Sequence, residues 1–257
     1  MGENVVTIWN AHYKDAQHDM DIQITNNEQE KNPLSFTIDG IPFVGSNLSD
    51  FELADPSLYD LAHEKFTLMK WGGYSKHDQE YTYDLQRYSL DIDIPVTVVR
   101  NCDNEIIQGI LRVGFRFVKH DMKKNQCIIM CDDARVYRDD LEICKFALLV
   151  DGRTFEGCAK SSYFDIELPE LCRRIQPNYK LKCCYTCQWS DYSPYGNDDF
   201  GSMLCYRDHM AEYLKVNNKD GWFKHLEMLS FIMKQETSVC DDYEERVHCH
   251  GYRGFVL

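Results

Sequence analysis

The chain has 257 residues, of which 44% are hydrophobic and 27% are charged, a composition typical of globular proteins. Its formal net charge of −14 would repel a phosphate backbone, so we expect no nucleic-acid partner and favour a basic protein partner instead. The first residues lack a signal-peptide pattern, and no apolar run approaches the length of a membrane span. We therefore expect a cytoplasmic protein that does not bind membranes.

The first part of the chain carries short β-strand patterns separated by clusters of turn-forming residues. Aromatic residues reach 13%, which also favours β structure. The patterns predict strands at 5–9 and 21–25, a hairpin over 34–43 that turns at Asp39–Gly40, and a short helix over 56–63 capped by Asp55.

The clearest predicted hairpin joins residues 87–100 to residues 106–118. Apolar and polar side chains alternate along its first arm, as in a strand with one wet face, and the polar residues 101–104 supply the turn. Further strands are predicted at 127–131 and 143–150, the second ending at a turn over Asp151–Gly152. Several short strands with intervening turns are typical of an antiparallel β-sandwich.

The later part of the chain carries helical patterns. Residues 167–175 show apolar side chains at helical spacing, and Pro177 prevents the helix from continuing. Two more helices are predicted over 201–216 and from Asp220 to about Met233. The apolar stripe predicted to form a buried face of the last helix consists of Trp222, Phe223, Leu226, Leu229, Ile232 and Met233.

A cysteine cluster in this later part has the spacing of a zinc site. Cys184 and Cys187 are separated by two residues, and Cys205 follows after a loop of 17 residues. Two cysteines on a tight turn and a third beyond a loop match most of a zinc-ribbon pattern, and structural zinc takes four N or S ligands. The fourth ligand is either Cys240 or His209, which would share a helix face with Cys205.

Other interpretations of these cysteines remain open. Buried thiols can act as small apolar side chains, and disulfides form in oxidising compartments, although a cytoplasmic setting favours metal binding. Lesser candidates for the fourth ligand are Cys183, His248, Cys249 and His250. A zinc clamp would order the loop over 188–204, with Tyr192, Tyr195 and Phe200 packed over the site and Asp191, Asp198 and Asp199 facing water.

The predicted fold class is therefore α+β. An antiparallel β-sandwich-like N-terminal region covers residues 1–176, and a smaller helical, zinc-stabilised region covers residues 177–257. No flexible linker marks the boundary, so the two regions can share one core.

Longer motifs around the cysteines resemble an uncharacterised bacterial domain-of-unknown-function family. They are Cys184-Tyr-Thr-Cys187, the run from Ser190 to Gly201, Met203 to Arg207, Gln235 to Cys240, and Gly251-Tyr-Arg-Gly254. The resemblance covers mainly residues 85–257. It implies metal ligands at Cys184, Cys187, Cys205 and Cys240, with Cys240 rather than His209 as the fourth, and it implies no activity.

Familiar catalytic motifs are absent from the sequence, including those of P-loop, dinucleotide-binding, serine hydrolase and HExxH metalloprotease sites. We therefore expect a non-enzymatic, zinc-stabilised protein-interaction module, such as an immunity-type protein that neutralises a basic toxin. One alternative is a metal-dependent hydrolase that uses His248 and His250, which would lie on the same side of a strand. Another is a purely structural assembly component.

Overall fold

The structure, a computed structural model, describes residues 6–72, 81–118, 129–131, 134–136 and 140–246. Most of its regular structure is β. The strands are β1 (Thr7–Lys14), β2 (Asp19–Asn26), β3 (Leu34–Ile38), β4 (Ile41–Gly45), β5 (Phe51–Leu53), β6 (Thr67–Gly72), β7 (Tyr81–Gln86), β8 (Ser89–Arg100), β9 (Ile106–Val118), β10 (Ile129–Cys131), β11 (Ala134–Val136), β12 (Asp140–Val150), β13 (Arg153–Glu156), β14 (Tyr179–Leu181), β15 (Ser190–Tyr192), β16 (Met203–Cys205) and β17 (Ile232–Lys234).

The helices are short. They are α1 (Tyr59–Ala62), α2 (Phe164–Ile175), α3 (Met210–Tyr213) and α4 (Lys219–His225), with 3₁₀ turns at Pro56–Leu58, Cys184–Thr186 and Arg207–His209. Within the described residues, no helix is both long and apolar enough to cross a membrane.

Twelve of the strands belong to one hydrogen-bonded sheet. Its order is β13-β12-β9-β8-β1-β2-β3-β4-β5-β7-β6, and β14 pairs with β8 outside this path. The pairings from β1 through β5 and on to β7 and β6 are antiparallel. The prediction of mostly antiparallel β structure with few helices is confirmed. The sandwich-like arrangement of residues 1–176 stays a prediction.

Two hairpins are closed by the turn residues that the sequence predicts. Asp39 and Gly40, with φ of 51° and 78°, connect β3 to β4, and Asp151 and Gly152, with φ of 48° and 69°, connect β12 to β13. Two successive residues with positive φ are the mark of a type I′ turn, which matches the twist of the paired strands. The turn chemistry therefore sets the register of these strands.

The capping residue Asp55 also behaves as predicted. Its side chain accepts a hydrogen bond of 2.9 Å from the backbone N–H of Ser57, and Pro56 opens the 3₁₀ turn that leads into α1. The predicted helix over 56–63 is therefore a 3₁₀ turn followed by a single α-helical turn.

The predicted helix over 167–175 is confirmed as the greater part of α2. Its buried Glu167 accepts three backbone N–H bonds, from Ala159 at 2.7 Å, Lys160 at 2.7 Å and Ser161 at 2.9 Å. These bonds hold the segment before the helix, in which Ala159 has a positive φ of 48°.

The predictions of two later helices, over 201–216 and from Asp220 to about Met233, are only partly correct. Residues 203–205 form β16, which pairs with β15 and β17, so the chain from 201 to 216 is helical only in the 3₁₀ turn and α3. Likewise α4 ends at His225, and the end of the predicted stripe forms β17, where Ile232 is 46% exposed and Met233 is 56% exposed. Strand pairing between distant segments overrides the helical spacing here.

The chain divides into two compact units, and neither is one continuous stretch. Unit 1 contains residues 1–27, 32–92 and 113–144, and unit 2 contains residues 28–31, 93–112 and 145–257. The strands β8, β9 and β12 each contribute residues to both units. The predicted boundary near residue 176 stays a prediction.

Candidate metal centre

The first pair of predicted ligands lies on a tight turn in unit 2. Cys184 begins a 3₁₀ turn, and the backbone N–H of Cys187 donates to the Cys184 carbonyl at 3.1 Å. Thr186 fixes the turn because its hydroxyl donates to the Leu181 carbonyl at 2.9 Å and accepts from the Cys183 N–H at 3.3 Å. Both Cys184 and Cys187 are buried.

The third predicted ligand, Cys205, is brought to this turn by the small sheet of unit 2. Ser190 of β15 lies opposite Cys205 of β16, and Ser190 follows Cys187 by only three residues. The backbone N–H of Tyr206 also donates to the Trp189 carbonyl at 2.7 Å. The pairing therefore places Cys205 at the same end of the sheet as the first turn.

Cys240 arrives on a separate segment that runs beside the first turn. The N–H of Cys184 donates to the Ser238 carbonyl at 2.6 Å, and the N–H of Tyr185 donates to the Glu236 carbonyl at 3.0 Å. Cys240 itself lies in a turn, because its carbonyl accepts from Tyr243 at 3.2 Å. This turn places Cys240 just beyond the segment that bonds to the first cysteine turn.

The sulfurs influence one another electrostatically. Burial raises the pKa of Cys184 well above that of an ordinary thiol, and the charges of Cys183, Cys187 and Cys205 raise it further. Burial also raises the pKa of Cys187, with added contributions from Cys205 and Cys240. Burial and Cys240 raise the pKa of Cys205. These effects place Cys184, Cys187, Cys205 and Cys240 in the same part of unit 2.

The nearby backbone lowers the pKa of two of these thiols. Burial has the largest effect on the pKa of Cys187 and raises it, whereas the backbone of Glu244 and Trp189 lowers it. The backbone of Arg207 acts in the same way on Cys205. A lower pKa favours the thiolate, the form in which cysteine binds metals.

The alternative ligand His209 makes other contacts. Its Nε2 lies 3.1 Å from the Ser230 carbonyl, and its ring stands edge-on to Phe231 with a centroid distance of 5.8 Å. The sequence-based candidates His248, Cys249 and His250 lie outside the described residues. Over the part of the chain that the structure describes, no group of three or more His, Cys, Asp or Glu side chains has the close spacing of a formed metal site.

The loop over 188–204 differs from its prediction in its acidic residues. Tyr192 and Phe200 are buried as expected, but Tyr195 is 70% exposed. Asp191 and Asp199 are buried instead of facing water, while Asp198 is exposed. Burial of a carboxylate is tolerated when hydrogen bonds or opposite charges compensate for lost water, and Asp191 has both.

Arg246 supplies the compensating charge for Asp191. Its Nη1 lies 4.0 Å from Asp191 Oδ2, which also accepts a hydrogen bond of 3.1 Å from the Tyr213 hydroxyl. The same guanidinium donates to the carbonyls of Ser190 and Cys187, the latter at 3.2 Å. Arg246 thus ties the end of the described chain to the first cysteine turn. Asp191 and Arg246 are 55 residues apart, so no local sequence signal could predict the pair.

Glu236 is a second buried acid that sequence reasoning missed. It is fully buried, and its carboxylate accepts from the Tyr192 hydroxyl at 2.9 Å and from the Gly201 N–H at 2.7 Å. Burial raises the pKa of Glu236 to about 7, although these hydrogen bonds lower it. Its carboxylate holds the two ends of the long loop against the segment that carries Cys240.

A family model described as a family of unknown function (DUF6304) matches residues 7–190, which is more than half of the chain. The chain belongs to this family. The match contains Cys184 and Cys187 and ends before Cys205 and Cys240, whereas the sequence motifs above lie mainly in residues 85–257. Neither the curated proteins nor the solved structures contain a match to the chain.

Proposed function

We propose that this protein is a non-enzymatic interaction module whose C-terminal region is stabilised by one structural Zn²⁺ on Cys184, Cys187, Cys205 and Cys240. Three observations support the proposal: the tight turn of Cys184 and Cys187, the strand pairing that brings Cys205 to this turn, and the hydrogen bond from Cys184 to Ser238, two residues before Cys240. The donor set fits zinc, because four thiolates form a closed tetrahedral site. A divalent ion would favour the thiolate form of these cysteines.

A site closed by four sulfurs has no open position for a substrate or a reactive water, so the zinc would support structure instead of catalysis. The excess of acidic residues supports a basic protein as the partner. An immunity-type protein that neutralises a basic toxin in the cytoplasm is the form of this function that we favour.

Metal analysis of the purified full chain tests the zinc part of the proposal. We expect one zinc per chain and an X-ray absorption spectrum with four sulfur ligands. A spectrum with nitrogen or oxygen ligands and a bound water would favour the alternative hydrolase. A folded chain that binds no zinc would refute the metal site.

Binding to immobilised basic and acidic proteins tests the interaction part. We expect the chain to be retained on basic proteins at low ionic strength and released by salt, because screening weakens attraction between exposed charges. Lack of retention on any basic protein at low ionic strength would refute a basic partner.

A further inference from the structure

Tyr195 is exposed to solvent, yet the chain around it holds it in place. The residue is 70% exposed. The backbone turns tightly here, because the Gly196 N–H donates to the Ser193 carbonyl at 3.2 Å and the Tyr195 N–H donates to the Ser193 hydroxyl at 3.2 Å. Gly196 has a φ of 132°, which a residue with a side chain rarely adopts. The turn therefore fixes the point from which the Tyr195 side chain projects.

Two aromatic residues of α4 support the ring of Tyr195. The ring of Trp222 has its centre 6.0 Å away at an angle of 87°, and the ring of Phe223 has its centre 5.4 Å away at an angle of 62°. Edge-to-face packing of this kind is a favoured geometry of aromatic pairs. Trp222 is buried in the core of unit 2, where its indole N–H donates to the Tyr206 hydroxyl at 2.8 Å. The support for Tyr195 is therefore rigid.

A carboxylate lies at the rim of the Tyr195 ring. The Tyr195 hydroxyl donates to Oε1 of the exposed Glu227 at 2.6 Å. A hydrogen bond from a neutral hydroxyl leaves the negative charge of Glu227 in place. Among the described residues, no Lys, Arg or His side chain forms an ion pair with Glu227. The ring and the charge of the carboxylate are therefore both presented to solvent.

The ring next to Tyr195 already attracts a cation. Lys219 places its Nζ 5.7 Å from the centre of the Phe223 ring. The face of an aromatic ring attracts positive charge through its quadrupole. Over the part of the chain that the structure describes, no Lys or Arg lies over the Tyr195 ring. Its exposed surface is therefore open to a cation from another molecule.

A guanidinium group suits this pair of groups better than an ammonium group. It is planar and stacks on an aromatic face, and its fork of N–H donors can bond a carboxylate at the same time. Because Glu227 accepts from the Tyr195 hydroxyl, one arginine side chain can reach both the ring and the carboxylate. The lysine ammonium group is a compact, strongly hydrated charge that cannot stack.

We propose that Tyr195 and Glu227 bind an arginine side chain of a basic protein partner, with the guanidinium group stacked on the ring and bonded to the carboxylate. Because Tyr195 is already ordered by its turn and by Trp222 and Phe223, little side-chain entropy is lost on binding. Tyr and Arg are also enriched among the residues that dominate interface energetics. This inference rests on the proposed function, and it identifies the surface and the partner side chain.

Nuclear magnetic resonance of the purified full chain, with labelled Tyr and Phe rings, tests this site. The probe is a capped Gly-Ser-Arg-Ser-Gly peptide, and two counterparts carry Lys or citrulline in place of Arg. Citrulline keeps the planar shape and removes the charge. We expect saturable shifts of the Tyr195 and Phe223 ring signals with the Arg peptide. Affinity should be about tenfold lower for the citrulline peptide and about threefold lower for the Lys peptide.

Two variants with matched controls separate the ring from the carboxylate. Tyr195→Leu should weaken binding of the Arg peptide about tenfold, whereas Tyr163→Leu, at another exposed tyrosine of unit 2, should change it by less than about twofold. Glu227→Gln removes the charge but keeps an acceptor for the Tyr195 hydroxyl, and it should weaken binding about fivefold. Its control is Glu156→Gln, at an exposed end of β13, which should have less than about a twofold effect.

Equal affinity for the Arg peptide and either counterpart would overturn the arginine site. Equal effects of Tyr195→Leu and Tyr163→Leu would overturn it too, because the attraction would then not depend on this ring. Retention of a basic protein equally by the Tyr195→Leu variant and the unaltered chain would place the partner elsewhere, while the proposed function would stand. Failure of every basic protein and of the Arg peptide to bind would reject both.

Discussion

The hairpins of residues 7–45 and the cysteine region of residues 183–246 show two ways of specifying a structure. In the hairpins, each strand pairs with its sequence neighbour through a short connection. In the cysteine region, turns are joined by contacts between distant segments, such as Cys184 with Ser238 and Cys187 with Glu245. Local turn chemistry specifies the first region, whereas the second depends on contacts between segments that are distant in the sequence.

The strongest test of this contrast removes one of the proposed ligands. We expect Cys184→Ser or Cys205→Ser to abolish zinc binding and to unfold the cysteine region while the hairpins remain. Structural zinc contributes on the order of 10 kcal/mol, comparable to the stability of a domain. Zinc content and hydrogen exchange resolved along the chain would measure both effects. Cys102→Ser, at an exposed cysteine, is the control and should change neither.

The fourth ligand can be assigned by a pair of substitutions. If Cys240 binds the metal, Cys240→Ser should reduce zinc affinity severely, and His209→Ala should be mild because that ring contacts Ser230 and Phe231. Competition with a zinc chelator would rank the two variants. The reverse ranking would assign the position to His209.

Within unit 2, the buried acid Glu167 offers a test without metal. Glu167→Gln replaces one acceptor oxygen by a donor that faces backbone N–H groups, so we expect a loss of about 3–5 kcal/mol in the free energy of unfolding. Denaturant melts would measure the loss. Glu170→Gln, on the more exposed side of α2, should cost less than about 1 kcal/mol. Equal effects would contradict the anchoring role of Glu167.

A pH dependence follows from Glu236. Because burial raises its pKa to about 7, the folded chain holds a proton that the unfolded chain releases above its ordinary pKa near 4.5. This contribution to stability is fully present below that ordinary value and is lost as the pH rises through about 7. Between pH 5.5 and 8, with zinc saturating, the free energy of unfolding should fall on the order of 2 kcal/mol.

Glu236→Gln should flatten this pH dependence, whatever its effect on absolute stability, because the amide does not titrate. Glu227→Gln, which changes an exposed carboxylate bonded to Tyr195, should preserve it. An unchanged slope in the Glu236 variant would assign the titration to another group.

The smallest expected effect concerns the turn between β3 and β4. Gly40 has a φ of 78°, and nothing lies within 4 Å of where a Cβ would stand. Gly40→Ala should therefore cost about 1 kcal/mol through the backbone alone, and Gly40→Asn should cost less because Asn adopts positive φ more readily. Urea melts of the two variants would compare them. A larger loss for Asn would point to a cause other than the dihedral angle.

Sequence reasoning worked where the signal was local. The hairpin turns, the Asp55 cap and α2 are read from neighbouring residues, and the 3₁₀ turn of the first cysteine pair follows from its two-residue spacing. It failed at residues 203–205 and 232–234, whose apolar spacing suggests helix, because they pair as strands across the chain. The burial of Asp191 beside Arg246 could not be predicted either, because the two residues are distant in the sequence and no local pattern links them.

The position of Glu28 has a consequence for synthesis. This residue belongs to unit 2, where it accepts hydrogen bonds from Lys234 at 3.1 Å and from the Ser238 hydroxyl at 2.5 Å, across 206 and 210 residues. At a translation rate of about 5–20 residues per second, the nascent carboxylate waits roughly 10–40 s before its partners leave the ribosome. These hydrogen bonds to Glu28 therefore form only late in synthesis. We expect expression of the protein to be cold-sensitive or chaperone-dependent.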